Sequence, residues 1–458
     1  MAGEGERAGA DPEAALALEQ LAYRVSRGQL AAGFAALFLL VSSVLGWLIA
    51  RDLALPRGQV VASRTVTQSG GPVTHPGQGV SDAIAKTSVH QSAGAPPAST
   101  AGVQSGTLKL GAVITQSGLG DQTPIYHGLD AGLKAIDAQG GVRGITFNLE
   151  VLDDATDPNR GQADLRRLVE QDHVFSLVGE CAPLTDIDAG DYFRQQQVPV
   201  FGSCFASNTQ YSNPYMFPLV VKPYLSGQLI ADYLISQMGA KAPAVVSLDV
   251  SVLDQSYDGA VAGINAKAGK PCDAEKVPIS QASYDTVVLN ERQNNCDGVI
   301  LNLDPGHTLS WMQSAQRYGY HPKVIGLTGF DQTVADHAGP YSDGLVTYFA
   351  QYMPRVDNVP ALQQFQSAMA AYEPGERDLN DALIGYVAAV SFAQAIGHVQ
   401  GPVSRQSFLN ALYSSAIQNG IQQTVRFHPG DHSVSPACRF YVLHQGRWSD
   451  LSDWYSGS

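Results

Sequence analysis

The sequence predicts an α/β protein of two doubly wound lobes, preceded by one transmembrane helix and a disordered linker. Three observations predict this. An uncharged apolar run lies at Leu30 to Ala50, a stretch rich in Gly, Ser, Pro and Ala follows it, and from Thr107 short β-rich runs alternate with amphipathic helical stretches in a pattern that later restarts. Such alternation marks βαβ units, because parallel strands need a crossover between them. With 458 residues, 44% of them hydrophobic and 15% charged, the chain has enough apolar material for a core of that size.

Residues 1–29 are polar and alanine-rich, with too little apolar surface for a core, which predicts a cytoplasmic tail. Leu30 to Ala50 is about 21 residues long, and at roughly 1.5 Å per residue it spans a hydrocarbon layer of about 30 Å. A cleaved signal peptide would have a shorter apolar stretch and a small-residue cleavage site, whereas this one runs straight into Arg51-Asp52-Leu53. A retained single-pass anchor is therefore expected. Arg24 and Arg27 before it are matched by Arg51, Arg57 and Arg64 after it, so charge alone does not orient it. Residues 51–106 have the composition of a flexible linker, with a root-mean-square span on the order of 40 Å.

Residues 107–458 are expected to fold. Strand candidates are Leu108 to Ile114, Thr146 to Leu152, Val174 to Val178 and Val198 to Phe201, with helices near Ile125 to Ala138, Asn159 to Glu170 and Asp186 to Gln195. A helix at Leu225 to Met238 opens the second set. Strands follow at Ala244 to Leu248, Ala274 to Ile279, Gly298 to Leu303 and Lys323 to Gly326, between helices near Tyr257 to Ala268, Tyr284 to Arg292 and Thr308 to Tyr318. Helices at Ala361 to Tyr372, Asn380 to His398 and Arg405 to Ser414 come next, the last behind the cap Ser404. The end is β-like, at Thr424 to Phe427 and Cys438 to His444.

Several function classes are disfavoured. The net charge of -14 repels phosphate backbones and no basic stripe offsets it, so nucleic acid is not an expected partner. No G-x-S-x-G, H-E-x-x-H, G-x-x-x-x-G-K-[ST] or post-strand G-x-G-x-x-G motif occurs, so no enzyme and no cofactor is expected. The acidic run from Asp153 to Asp157 lacks the spacing of a calcium loop and reads as a strand-end turn with a helix cap, and no metal is expected. All five cysteines (Cys181, Cys204, Cys272, Cys296 and Cys438) fall in the large carboxy-terminal region. They suit either disulfides in an oxidising compartment or buried thiols.

Ligands of open parallel sheets bind beyond the carboxyl ends of the strands. The loops there contain Gln116, Ser117, Ala182, Thr185, Phe205, Ala206 and Ser207 in the first lobe, and Tyr257, Asp304, Thr328 and Asp331 in the second. Ser, Thr and Asp also cap helices at such places, so each has a purely structural reading beside the functional one.

Here a resemblance becomes specific. LKLGAVITQSG, a helix ending AIDAQGGVRG, a strand reaching LEVLDDATDPNRG, then VFSLVGECA and VPVFGSCFAS resemble the type I solute-binding proteins of ABC importers, the branched-chain amino acid binding group above all. That family implies two Rossmann-like (flavodoxin-like) lobes joined by a multi-strand hinge, here about 107–221 plus 350–430 and about 222–349 plus 431–458. It implies carboxylate binding at Ala182 to Thr185 and Phe205 to Ser207. At the places where the family sets an aromatic and an acidic residue, this chain has Asp304 and Thr328, which puts an α-amino acid ligand in doubt unless Asp304 or Asp331 substitutes. It implies a Cys181–Cys204 disulfide, with Cys272 and Cys296 then the second bridge and Cys438 left over, placed to compete for a partner in the second lobe. The expected function is extracytoplasmic capture of a small polar ligand (an amino acid, an amide or similar) for an ABC importer permease, at the cell membrane. The alternative is a membrane-anchored sensor or scaffold.

Overall fold

The computed structural model describes residues 101–458 apart from positions 105, 119, 328, 329, 331 and 338. The tail, the anchor and the linker as far as residue 100 lie outside the described residues, as do Thr328 and Asp331.

The first sheet contains β1 (Val103–Gln104), β2 (Thr107–Val113), β3 (Thr146–Leu152), β4 (Ser176–Val178), β5 (Val200–Phe201) and β6 (Met216–Phe217). Its parallel strands run in the order β3-β2-β4-β5-β6, and β1 pairs antiparallel with the start of β2. The second sheet contains β7 (Pro243–Leu248), β8 (Asp273–Val277), β9 (Gly298–Asn302), β10 (Lys323–Gly326), β11 (Val346–Phe349), β12 (Arg439–His444) and β13 (Arg447–Asp450), in the order β8-β7-β9-β10-β11-β12-β13. Its first five strands are parallel, and β12 and β13 close it as an antiparallel edge. Counting parallel strands in chain order, both sheets read 2-1-3-4-5. This is the flavodoxin-like order, whose switch point lies beside the first strand.

Burial on both faces explains the near-continuous apolar runs of β7 and β9, every residue of which is buried. In the first lobe the rings of Phe175, Phe201, Phe392 and Phe408 pack edge-on or tilted, with centroids 5.1–6.5 Å apart. The helix Leu379–Gly397 is apolar and long enough to cross a membrane, yet it is the core helix of this lobe, packed against Thr123–Asp137. Close approach requires glycine there: a Cβ on Gly128 would lie 1.7 Å from the Ala382 carbonyl oxygen. The second lobe repeats the device between helices Pro223–Ser236 and Ser251–Ala268, where a Cβ on Gly227 would lie 2.1 Å from the Ser256 carbonyl oxygen.

The chain passes between the lobes after β6, after β11 and again before β12. The third passage is pinned by the buried His432. Its backbone N–H donates to the Tyr211 carbonyl at 2.7 Å, and Nδ1 lies 2.6 Å from the Met216 carbonyl oxygen. Nε2 lies 2.9 Å from the Tyr413 hydroxyl, and the ring stacks on Phe217 at 4.2 Å. Burial holds its pKa below the ordinary value, so the imidazole is neutral in the fold.

Some elements differ from the sequence expectation. β1 falls inside the stretch read as linker. The helix expected from Tyr257 begins at Ser251, behind a Val250 that offers no side-chain cap, so Tyr257 lies on a helix rather than in a loop. The helix expected over Asp186 to Gln195 divides into Pro183–Asp186 and Gly190–Gln196. Thr424 to Phe427 forms no strand, only a single bridge from Val425 to Ile417.

Candidate functional site

The first-lobe loops beyond the strands are tied together by carboxylates. Asp153 accepts the Gln116 N–H at 2.9 Å, the Ser117 hydroxyl at 2.5 Å and the Ala155 N–H at 2.9 Å. Asp154, wholly buried, accepts the hydroxyls of Thr115 and Thr185, both at 2.7 Å. The acidic run is thus a lashing between three loops, and each carboxylate is occupied by protein donors. Thr185 is itself fully buried, and a Cβ on Gly161 would come within 2.0 Å of its hydroxyl oxygen. It belongs to the framework of the site in this conformation, not to its open surface.

The loops after β4 and β5 are joined by the Cys181–Cys204 disulfide, with Cα atoms 5.2 Å apart, and by the Cys204 N–H donating to the Glu180 carbonyl at 3.0 Å. Gln210, which the sequence reading missed, strengthens the join. Its Oε1 accepts the Ser207 N–H at 2.6 Å and its Nε2 donates to the Asp186 carbonyl at 2.5 Å. Ala182, Ala206 and Ser207 are buried, and Phe205 is half-buried. Ala182 uses its N–H on the Asp186 carboxylate at 3.2 Å, while the Ser207 hydroxyl lies 3.1 Å from that of Thr209.

Under these loops lie two more buried carboxyls. Glu180 accepts the Val113 N–H at 3.0 Å through Oε2, and its Oε1 has no protein partner. Asp186 is in the same position, with Oδ2 on the Ala182 N–H and Oδ1 unpartnered. Burial pushes both carboxyls well above the ordinary carboxylate range, with the neighbouring Asp186 adding to the rise at Glu180 and Asp154 to that at Asp186.

In the second lobe Tyr257 stands beside Lys276, whose ammonium lies 4.8 Å from the ring centroid and 2.6 Å from Asp254 Oδ1. Asp304 caps the helix Pro305–Arg317, accepting the His307 N–H at 2.9 Å, and its other oxygen lies 2.6 Å from His307 Nδ1. The capping reading of Asp304 is therefore realised, and its carboxylate is engaged. Buried Asn302 donates to the hydroxyls of Ser247 and Ser256 at 3.0 and 3.1 Å, fixing the start of the helix that carries Gln255 and Tyr257.

The lobes meet where the Asn208 N–H donates to Gln255 Oε1 at 2.7 Å. Two polar atoms of this first-lobe loop, Ser203 Oγ and Asn208 Oδ1, are buried without a protein partner, and a polar group so placed is costly unless something bonds it. Neither was singled out from sequence. The available signal was position alone, since both flank residues that were.

A model of periplasmic binding proteins matches residues 107–447. The chain belongs to the periplasmic binding protein family. Proteins of this family bind ligands and do not turn them over, which agrees with the lack of catalytic motifs. Among solved structures, a possible leucine/isoleucine/valine-binding protein from Rhodopirellula baltica superposes with a TM-score of 0.67 at 19% identity, covering 76% of this chain and 96% of that one. A branched-chain amino acid ABC transporter protein from Thermus thermophilus with bound valine gives 0.69 at 15%, covering 77% and 97%. At such identities the likeness shows the fold. An amino acid binding protein of Pseudomonas aeruginosa is 27% identical over 123 residues, 26% of this chain, and the match spans 33% of that relative's length.

Both expected disulfides are present: Cys272–Cys296, with Cα atoms 5.8 Å apart, accompanies Cys181–Cys204, and Cys438 is a buried free thiol. The fold of this periplasmic binding protein is that of an extracytoplasmic domain.

Proposed function

We propose that this protein captures a small polar ligand (an amino acid, an amide or similar) between its two lobes and presents it to an ABC importer permease, held to the membrane by Leu30 to Ala50. The observation that carries the reading is the Asn208–Gln255 contact between lobes, with the unpartnered Ser203 and Asn208 oxygens beside it. Hinge closure over a solute needs polar groups from both lobes at one place, and this is such a place. Relatives whose names specify amino acids support the ligand class. The proposed ligand set keeps Gln116, Ser117, Ala182, Phe205, Ala206 and Ser207 in the first lobe and Tyr257, Thr328 and Asp331 in the second, with Thr185 and Asp304 engaged by scaffold groups in this conformation. The engagement of Asp304 by His307 disfavours it as the partner of an ammonium group and leaves that role to Asp331. A thermal-shift screen of amino acids, amides, polyols, purines and short peptides on the full chain tests the proposal, because a ligand that binds only the folded state raises its stability. A concentration-dependent rise with one polar class is expected. A flat response to every class would refute capture of such a ligand.

A further inference from the structure

Outside the strand-end loops there is a cavity of about 270 Å³ lined by residues from both lobes. Arg377 and Asn380 come from the start of the Leu379–Gly397 core helix of the first lobe, and Arg447 and Trp448 come from β13 of the second. Pro354 and Arg355 come from the passage between the lobes after β11. Three arginines, each of them exposed, therefore line one small space in a chain whose net charge is -14.

None of the three is paired with a carboxylate among the described residues. Arg355 donates only to the Arg377 carbonyl, at 3.2 Å. The nearest acids in sequence are engaged elsewhere. Glu376 accepts the N–H groups of Arg377 and Asp378 at 2.6 and 2.7 Å through Oε1, and its Oε2 lies 2.6 Å from His127 Nδ1. Asp378 caps the core helix on the Asp381 N–H at 3.1 Å. Asp357 accepts the Tyr441 hydroxyl at 2.6 Å and the Met353 N–H at 2.7 Å, and it faces Arg439 at 3.3 Å. Arg355 also holds φ at 68°, a region that a non-glycine residue occupies only where its surroundings impose it.

We propose that Arg355, Arg377 and Arg447 form a second ligand site, distinct from the strand-end cleft, that holds a small multivalent oxyanion across the two lobes. Guanidinium forks match the oxygens of phosphates and carboxylates in paired hydrogen bonds. The volume suits an anion the size of phosphate or a tricarboxylate and is below the usual range for larger ligands, about 300–1,000 Å³. Because Arg377 and Arg447 belong to different lobes, the anion would favour the arrangement that brings them together.

The test is titration calorimetry of the full chain with inorganic phosphate and with citrate, at low ionic strength and with chloride as control. Saturable binding of at least one is expected, binding of phosphate alone or citrate alone naming the favoured source. Arg377→Gln and Arg447→Gln should each weaken it about tenfold or more. Peptide mapping after phenylglyoxal treatment gives a second readout without substitution: the bound anion should protect Arg377 and Arg447 from modification. Asn208→Ala, in the other cleft, should leave anion binding unchanged. Absence of binding to both anions, affinity unaltered in the arginine variants, no protection, or loss of binding in Asn208→Ala would each overturn the site. None of these depends on finding the ligand of the strand-end cleft.

Discussion

Replacing Glu180 with glutamine should change how stability depends on pH. Glu180 is fully buried beneath the binding loops, one oxygen on the Val113 N–H and the other unpartnered, with Asp186 adjacent. Its folded pKa is raised well above the ordinary 4.5, by burial first and by the Asp186 charge second. The folded state thus keeps a proton that the unfolded chain has released. The stability this group contributes is fully present below its unfolded pKa and is lost as pH rises toward the folded value. Over that window the loss is about 1.4 kcal/mol per pH unit for one proton. Glutamine is neutral at every pH and keeps an acceptor for the Val113 N–H. The variant should therefore lie closest to the parent in relative stability near pH 4.5 and gain steadily on it as the pH rises toward the folded pKa of Glu180, with a slope approaching that figure. Chemical denaturation of both proteins at half-unit pH steps measures the difference. Parallel curves across the range would refute a proton held on Glu180.

Other expectations follow from the packing. Gly128→Ala places a methyl against the Ala382 backbone and should destabilise by about 1–3 kcal/mol or more, read by denaturant midpoint; a neutral result would mean the helix pair can separate at no cost. Cys181→Ser should cost about 2–4 kcal/mol through the lost cross-link, and non-reducing peptide mapping of the parent protein should recover Cys438 alone as a free thiol. His432 is held neutral, its folded pKa below the ordinary 6.5, so its contribution is present above about pH 6.5 and falls as the pH drops below it. His432→Phe should flatten that acid limb of the stability profile, and an unchanged limb would assign it to other groups.

The two lobes were legible because fully buried parallel strands write themselves as apolar runs and their crossover helices as amphipathic ones. β7 and β9 are of this kind. β5 and β6 are each two residues long, and β6 carried too little pattern to be seen. The helix from Ser251 was read late because its cap is Val250, which carries none of the usual capping chemistry. The site was legible as a set of loops but not as contacts. Thr185 and Asp304 are residue types that serve a ligand or the scaffold equally well, and here both are bonded to scaffold groups. Conversely, Ser203, Asn208 and Gln210 matter through partners distant in the chain or through lacking one, which local pattern does not carry.

The central claim is that both lobes hold the ligand. The direct measurement is titration calorimetry of the screened ligand against the parent protein, a first-lobe variant (Asn208→Ala) and a second-lobe variant (Gln255→Ala). A lost hydrogen bond to a charged group costs about 1.5–3 kcal/mol, so affinity should fall about tenfold or more in each variant while the fold persists. If Asn208→Ala abolished binding and Gln255→Ala left it unchanged, the ligand would dock on one lobe alone, and capture by closure would be the wrong account.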